Sequence, residues 1–149
     1  MNEAIRLIQK LERQHRVYLE TYFAGAPFWL MDAFQVVHMP KNRTFITEGE
    51  PAEDIYILLK GTVVAEEHRV KDMTYGFIRF FPIEVFGVME LMLEMEEYRT
   101  TLVTTTESVF LKTSRKLFGK WFKYDFCAYR MECKKVGRYL LEQARKERL

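Results

Sequence analysis

The sequence predicts a mainly β domain, a barrel or jelly roll, flanked by a helical segment before it and a long helix after it. Three observations carry this. From Ala33 to about Lys112 the chain breaks into short runs rich in Val, Ile, Phe, Tyr and Thr, separated by turn residues at intervals of roughly ten. On both sides of that block the apolar spacing is helical. The composition, 48% hydrophobic and 30% charged with 7 Gly and 4 Pro in 149 residues, suits one compact core and leaves no long disordered tract.

Residues 2–24 read as one amphipathic helix, with Ala4, Leu7, Ile8, Leu11, His15, Tyr18, Leu19 and Tyr22 at helical spacing and Ala24-Gly25-Ala26-Pro27 as its stop. Strands follow at Phe34 to Met39, Thr44 to Thr47 and Ile55 to Lys60, each closed by turn chemistry: Pro40-Lys41-Asn42, Glu48-Gly49-Glu50-Pro51 and Gly61. Further strands are expected at Thr62 to His68, Tyr75 to Phe81, Thr100 to Thr104 and Ser108 to Lys112, with Lys71-Asp72-Met73-Thr74 as a hairpin tip. Ser114 then caps a helix at Arg115 to Lys123, and Asp125 caps a last helix running to the C-terminus. The expected division is 1–28 N-terminal helical segment, 29–124 β-roll and 125–149 C-terminal helix.

Several function classes recede at this level. The net charge of +2 is spread along the chain, which gives little support for direct nucleic-acid binding. No apolar run approaches the roughly 20 residues that span a bilayer, and Met1-Asn2-Glu3-Ala4-Ile5-Arg6 lacks signal-peptide order, so a cytoplasmic protein without membrane partners is expected. Cys127 and Cys133, six apart in a helix, point to different sides and suit neither a mutual bridge nor a shared metal. His15, His38 and His68 show no ligand spacing, and neither a catalytic triad nor a GxxxxGK loop is present. Neither an enzyme nor a metal or other cofactor is expected. Arg79, among Tyr75, Phe77, Phe80 and Phe81, reads as a surface arginine lying over a ring.

The order helix, β-roll, short helix, long helix, with Ile46-Thr47-Glu48-Gly49-Glu50, Ile55-Tyr56-Ile57-Leu58, Gly61 and Phe86-Gly87, resembles the cyclic-nucleotide-binding domain of the Crp/Fnr transcription regulators over about residues 30–149. The resemblance implies a double-stranded β-helix of the cyclic-nucleotide-binding type, with Gly49 and Gly61 at tight turns. It also implies an effector-sensing, dimerising domain of a bacterial regulator. In that family a short helical cassette after Phe-Gly holds the ligand's phosphate and ribose, and here it falls on Gly87, Val88, Met89, Glu90, Leu91 and Met92.

Two departures fall on that cassette. The family's ribose-binding Glu corresponds to Val88, and its phosphate-pairing Arg, counted without a gap, to Tyr98. Tyr98, Thr100 and Leu102 then face inward, with Arg99 outward; one extra residue absorbed by the Glu94-Met95-Glu96-Glu97 loop would bring Arg99 in instead. Glu90 is the next candidate carboxylate, although beside Glu94, Glu96 and Glu97 it reads more readily as a solvated acid. A cyclic nucleotide is therefore not expected in the usual mode. The ligand is an unidentified small-molecule effector, in a pocket that Val88, Met89 and Tyr98 make more apolar, or the roll is a scaffold without one.

In the family the matching C-terminal helix pairs with its twin in a homodimer. Cys133, Val136, Leu140 and Gln143 form the stripe for such a contact, with small Gly137 and Ala144 permitting close approach. Because the helical pattern runs up to Leu149 without a Gly or Pro stop, DNA contact is expected only through a domain beyond it.

Overall fold

The computed structural model describes residues 2–69 and 73–147, of which 67–69 and 73–77 are described by backbone alone. Helices α1 (Glu3–Gln9), α2 (Arg13–Tyr22) and α3 (Phe28–Ala33) lead into strands β1 (Gln35–Met39), β2 (Thr44–Ile46), β3 (Asp54–Lys60), β4 (Val63–Arg69), β5 (Met73–Phe80) and β6 (Glu84–Phe86). The one-turn helix α4 (Val88–Met92) precedes β7 (Thr101–Thr104) and β8 (Ser108–Ser114). Helices α5 (Arg115–Phe122) and α6 (Phe126–Glu147) complete the chain.

The strands form two antiparallel four-stranded sheets, ordered β1-β8-β3-β6 and β2-β7-β4-β5. Facing each other, they make the predicted jelly roll, and the helices cover the outer face of the first sheet. Strand β3 shows why the sequence folds this way. Its run Ile55-Tyr56-Ile57-Leu58-Leu59 is buried throughout, because successive side chains enter different cores. Ile55, Ile57 and Leu59 join Leu111, Phe118 and Trp121 under the helices. Tyr56 and Leu58 join Phe110 and Leu102 inside the roll. Gly61 (φ +102°) turns β3 into β4 where a Cβ would stand 2.7 Å from the Glu107 carbonyl oxygen, so the turn excludes any larger residue.

The strand expectations hold within one or two residues, and both predicted caps form: Ser114 Oγ accepts from the Leu117 amide (3.1 Å) and Asp125 Oδ1 from the Ala128 amide (3.0 Å). The single N-terminal helix does not form. The chain breaks at Lys10–Glu12, folding α1 onto α2 so that Ala4, Ile8, Leu11, Leu19 and Tyr22 enter one cluster. A straight helix could not lay both halves on the same small core. Helix α3 and the three-residue β6 were outside the sequence expectation, being too short for a period to show. Of the expected hairpin tip, residues 71 and 72 lie outside the described residues, while Met73 and Thr74 open β5.

Candidate functional site

The cassette begins at Gly87, whose φ of +96° admits only glycine and where a Cβ would stand 2.6 Å from the Asp54 carbonyl oxygen. From there α4 makes one turn, and its period distributes the expected pocket residues in different directions. Val88 is 2% exposed, but its side chain enters the core beneath the helices, not the roll. Leu91 packs against that same core and meets α5 at Gly119, where a Cβ would stand 3.0 Å from its Cδ1. Met89 faces solvent. The apolar pocket expected of Val88 and Met89 is thereby corrected: neither side chain faces the space between the sheets.

Glu90 also departs from its reading as a solvated acid. It is 8% exposed, and its Oε2 accepts from the Arg99 backbone amide (3.1 Å) while its carbonyl oxygen accepts from the Met95 amide (2.8 Å). It therefore pins the loop that carries Tyr98. The three acids that follow it hide this role, because burial depends on how the loop folds back.

Tyr98 takes the inward place and Arg99 is exposed; Thr100 is half-buried and Leu102 lies in the roll core. The Tyr98 hydroxyl donates to the Asp54 carbonyl (2.7 Å) and accepts from the Asp54 amide (3.1 Å). Its backbone exchanges bonds with Gly49 (2.9 Å) and Glu50 (2.9 Å). Burial pushes the hydroxyl well above its usual pKa, so it stays protonated. Arg115 clamps the same junction, donating through Nη1 to the carbonyls of Ala52 (3.2 Å) and Met95. The tyrosine thus bonds the protein's own backbone with both of its hydrogen-bonding functions, and carries no cation for a phosphate.

Between the sheets the space is occupied by rings. Phe45 lies 4.7 Å from Phe110, 5.2 Å from Tyr56 and 5.7 Å from Phe86 between centroids, and Phe80 lies 5.2 Å from Phe86. The contacts are edge-on or tilted, the arrangements aromatic pairs favour. Two surface hollows are described, and neither is lined by any of these five rings. One is an open groove of about 1230 Å³ between α4, α5 and the start of α6; the other, about 220 Å³, lies among the N-terminal helices.

Helix α6 contrasts with the filled roll. Only Ala128 and Glu132 are buried along its 22 residues. Of the stripe expected to pair, Cys133, Gly137, Leu140 and Ala144 are exposed, and Val136 and Gln143 half-buried. Leu140 is 60% exposed and Phe126 80%. With Phe126 and Tyr129 the stripe continues as Phe126, Tyr129, Cys133, Val136, Leu140 and Gln143, a 3-4-3-4-3 spacing that forms one seam. Both cysteines are free thiols, Arg79 is exposed, and among the described residues no group of His, Cys, Asp or Glu is placed to hold a metal ion. No described helix is long and apolar enough to cross a membrane.

A β-roll with a Gly-led cassette between β6 and β7 defines the class of domain by its fold, and known proteins agree. The family model described as the cyclic nucleotide-binding domain matches residues 36–125, and the chain belongs to that family. No curated protein matches the sequence. Among solved structures, the sensor domain of the transcriptional regulator DNR from Pseudomonas aeruginosa is 16% identical, with 89% of this chain and 92% of that one covered and a TM-score of 0.67. The Thermus thermophilus catabolite activator protein is 18% identical over 85% of this chain (TM-score 0.66), and the match spans 61% of its length. A mutant regulatory subunit of a cAMP-independent protein kinase A from Trypanosoma brucei, bound to cAMP, is 20% identical over 90% of this chain and 53% of that one (TM-score 0.59). At these identities the likeness is one of fold.

Proposed function

We propose that this chain is the sensing and dimerising domain of a Crp/Fnr-like bacterial transcription regulator that works without a cyclic nucleotide in its roll. The observation behind the second half is the pairing of a ring-filled interior with a Tyr98 hydroxyl bonded to Asp54. A nucleotide entering there would have to expel several buried rings and would find no cation for its phosphate. The same plug favours a second reading, an interaction scaffold that takes no ligand.

The dimer half rests on the α6 seam. Joined to a second copy in parallel register, it would cover Leu140 and Phe126 and set Cys133 opposite Cys133. DNA is contacted through a further domain, as the regulator likeness implies, and any effector is a small molecule held elsewhere than in the filled interior.

Sedimentation equilibrium and oxidative cross-linking test the dimer together. A dimer linked through Cys133 and lost in Cys133→Ser, but kept in Cys127→Ser, is the expected result; a monomer at high micromolar concentration refutes it. Native mass spectrometry of protein from its own host then separates sensor from scaffold, a retained small-molecule mass marking the sensor.

A further inference from the structure

Where α6 meets its own domain it carries a buried ionic cluster that neither the roll nor the dimer seam uses. Glu132, 3% exposed, receives the Tyr22 hydroxyl hydrogen of α2 at 3.3 Å and lies 3.7 Å from Lys135 Nζ. Lys135 in turn donates to Glu84 Oε2 of β6 (3.0 Å) and to the Ile83 carbonyl (3.4 Å), and its ammonium stands 5.0 Å from the Tyr18 ring centroid. The Tyr18 hydroxyl is buried in the same cluster, facing Lys135. Beyond Lys135, the hydrogen bonds and ion pairs of α6 among the described residues stay within the helix. The cluster is therefore the last anchor along α6 toward its C-terminal end.

One cation serves two carboxylates here. Lys135 makes its shorter bond to Glu84, so Glu132, the more deeply buried acid, has the poorer partner. A buried carboxylate with incomplete compensation takes up a proton. We propose that Glu132 is a proton-binding site that latches α6 to the domain, the helix docking with Glu132 protonated and loosening when it ionises.

The groups facing Glu132 are Tyr18 and Tyr22 from α2, Glu84 from β6 and Lys135 from α6, with Asp125 acting on Tyr22 from the helix start. Burial, aided by Glu84 and opposed by Lys135, raises the Glu132 carboxyl from 4.5 to about 7. Although burial alone would depress it, Glu84 and Glu132 hold Lys135 above its usual range, so it stays charged throughout. Because docking raises this pKa, docked α6 binds more protons than released α6 between the two values. Docking therefore weakens as pH rises from 4.5 to about 7, and the loss is complete above that. The 2.5-unit gap limits the change to on the order of a hundredfold in the docking equilibrium.

This input deepens the sensor reading, because a proton needs no cavity, yet its test needs neither effector nor DNA. Hydrogen exchange of the α6 amides in the full chain, expressed as protection factors from pH 5 to 9, should fall on the order of a hundredfold, the decline running from the acid end and levelling off at about 7. The fall should persist on dilution, which separates it from any dimer equilibrium. Glu132→Gln, which keeps an acceptor for Tyr22, should abolish it and leave α6 protected at high pH. A pH-independent wild type, or a Glu132→Gln protein that still loses protection, overturns the latch. Should that variant not fold, carboxyl-carbon NMR of the wild type decides: a Glu132 midpoint near 4.5 overturns the proposal. A chain that sediments as a monomer refutes the dimer and leaves this test intact.

Discussion

The roll interior and helix α6 solve opposite problems. Inside the roll, Phe45, Tyr56, Phe80, Phe86 and Phe110 from five strands meet ring against ring, and the Tyr98 hydroxyl is spent on Asp54. Along α6 only Ala128 and Glu132 are buried, the acid leaning on a lysine it shares. The first region is packed as a protein core is packed, with little to gain by rearranging. The second holds its apolar seam open to solvent and its anchor imperfectly satisfied, the condition under which a modest stimulus shifts a population. The interior between the sheets is thus the buried part of this molecule and α6 the exposed part.

Removing rings should break that contrast most. Phe110→Ala deletes a fully buried ring in contact with Phe45 and Tyr56 and should cost about 3–5 kcal/mol in urea unfolding. A cost below ~1 kcal/mol would mean that the interior is loose. Tyr98→Phe keeps the ring but strands the Asp54 amide and carbonyl, and about 1–3 kcal/mol should be lost by the same measurement. On the α6 side, Leu140→Lys should leave the isolated domain within ~0.5 kcal/mol of the parent while abolishing the dimer in sedimentation. If it destabilises the domain as Phe110→Ala does, the seam is part of the core and not a free surface.

Much of this was legible in sequence where the signal is local. Gly49 and Gly61, at φ of +89° and +102°, stood in turn chemistry between apolar runs, and the inward-outward alternation placed Tyr98 and Leu102 together without a gap. The aromatic plug was not legible. Alternation says which face Phe45, Tyr56, Phe86 and Phe110 occupy, but whether rings from distant strands meet or leave a pocket depends on register across both sheets. Val88 misled for a related reason: correspondence with a family position assigns a role, whereas the single turn of α4 rotates the side chain into the other core. The Glu132 anchor carried a signal that went unread. Ala128, Glu132 and Lys135 lie at helical spacing away from the seam, and a small residue in line with an acid and a base marks where a neighbour approaches closely.

The central claim is that the roll belongs to the cyclic-nucleotide-binding family and is closed to cyclic nucleotides. Calorimetric titration of the wild-type chain with cAMP, and then cGMP, tests it most directly. We predict no binding heat at millimolar ligand, and none in Tyr98→Arg, because a cation alone does not vacate the space held by Phe45 and Phe110. Micromolar binding to the wild type, abolished by Arg99→Ala and untouched by Tyr98→Phe, would contradict it.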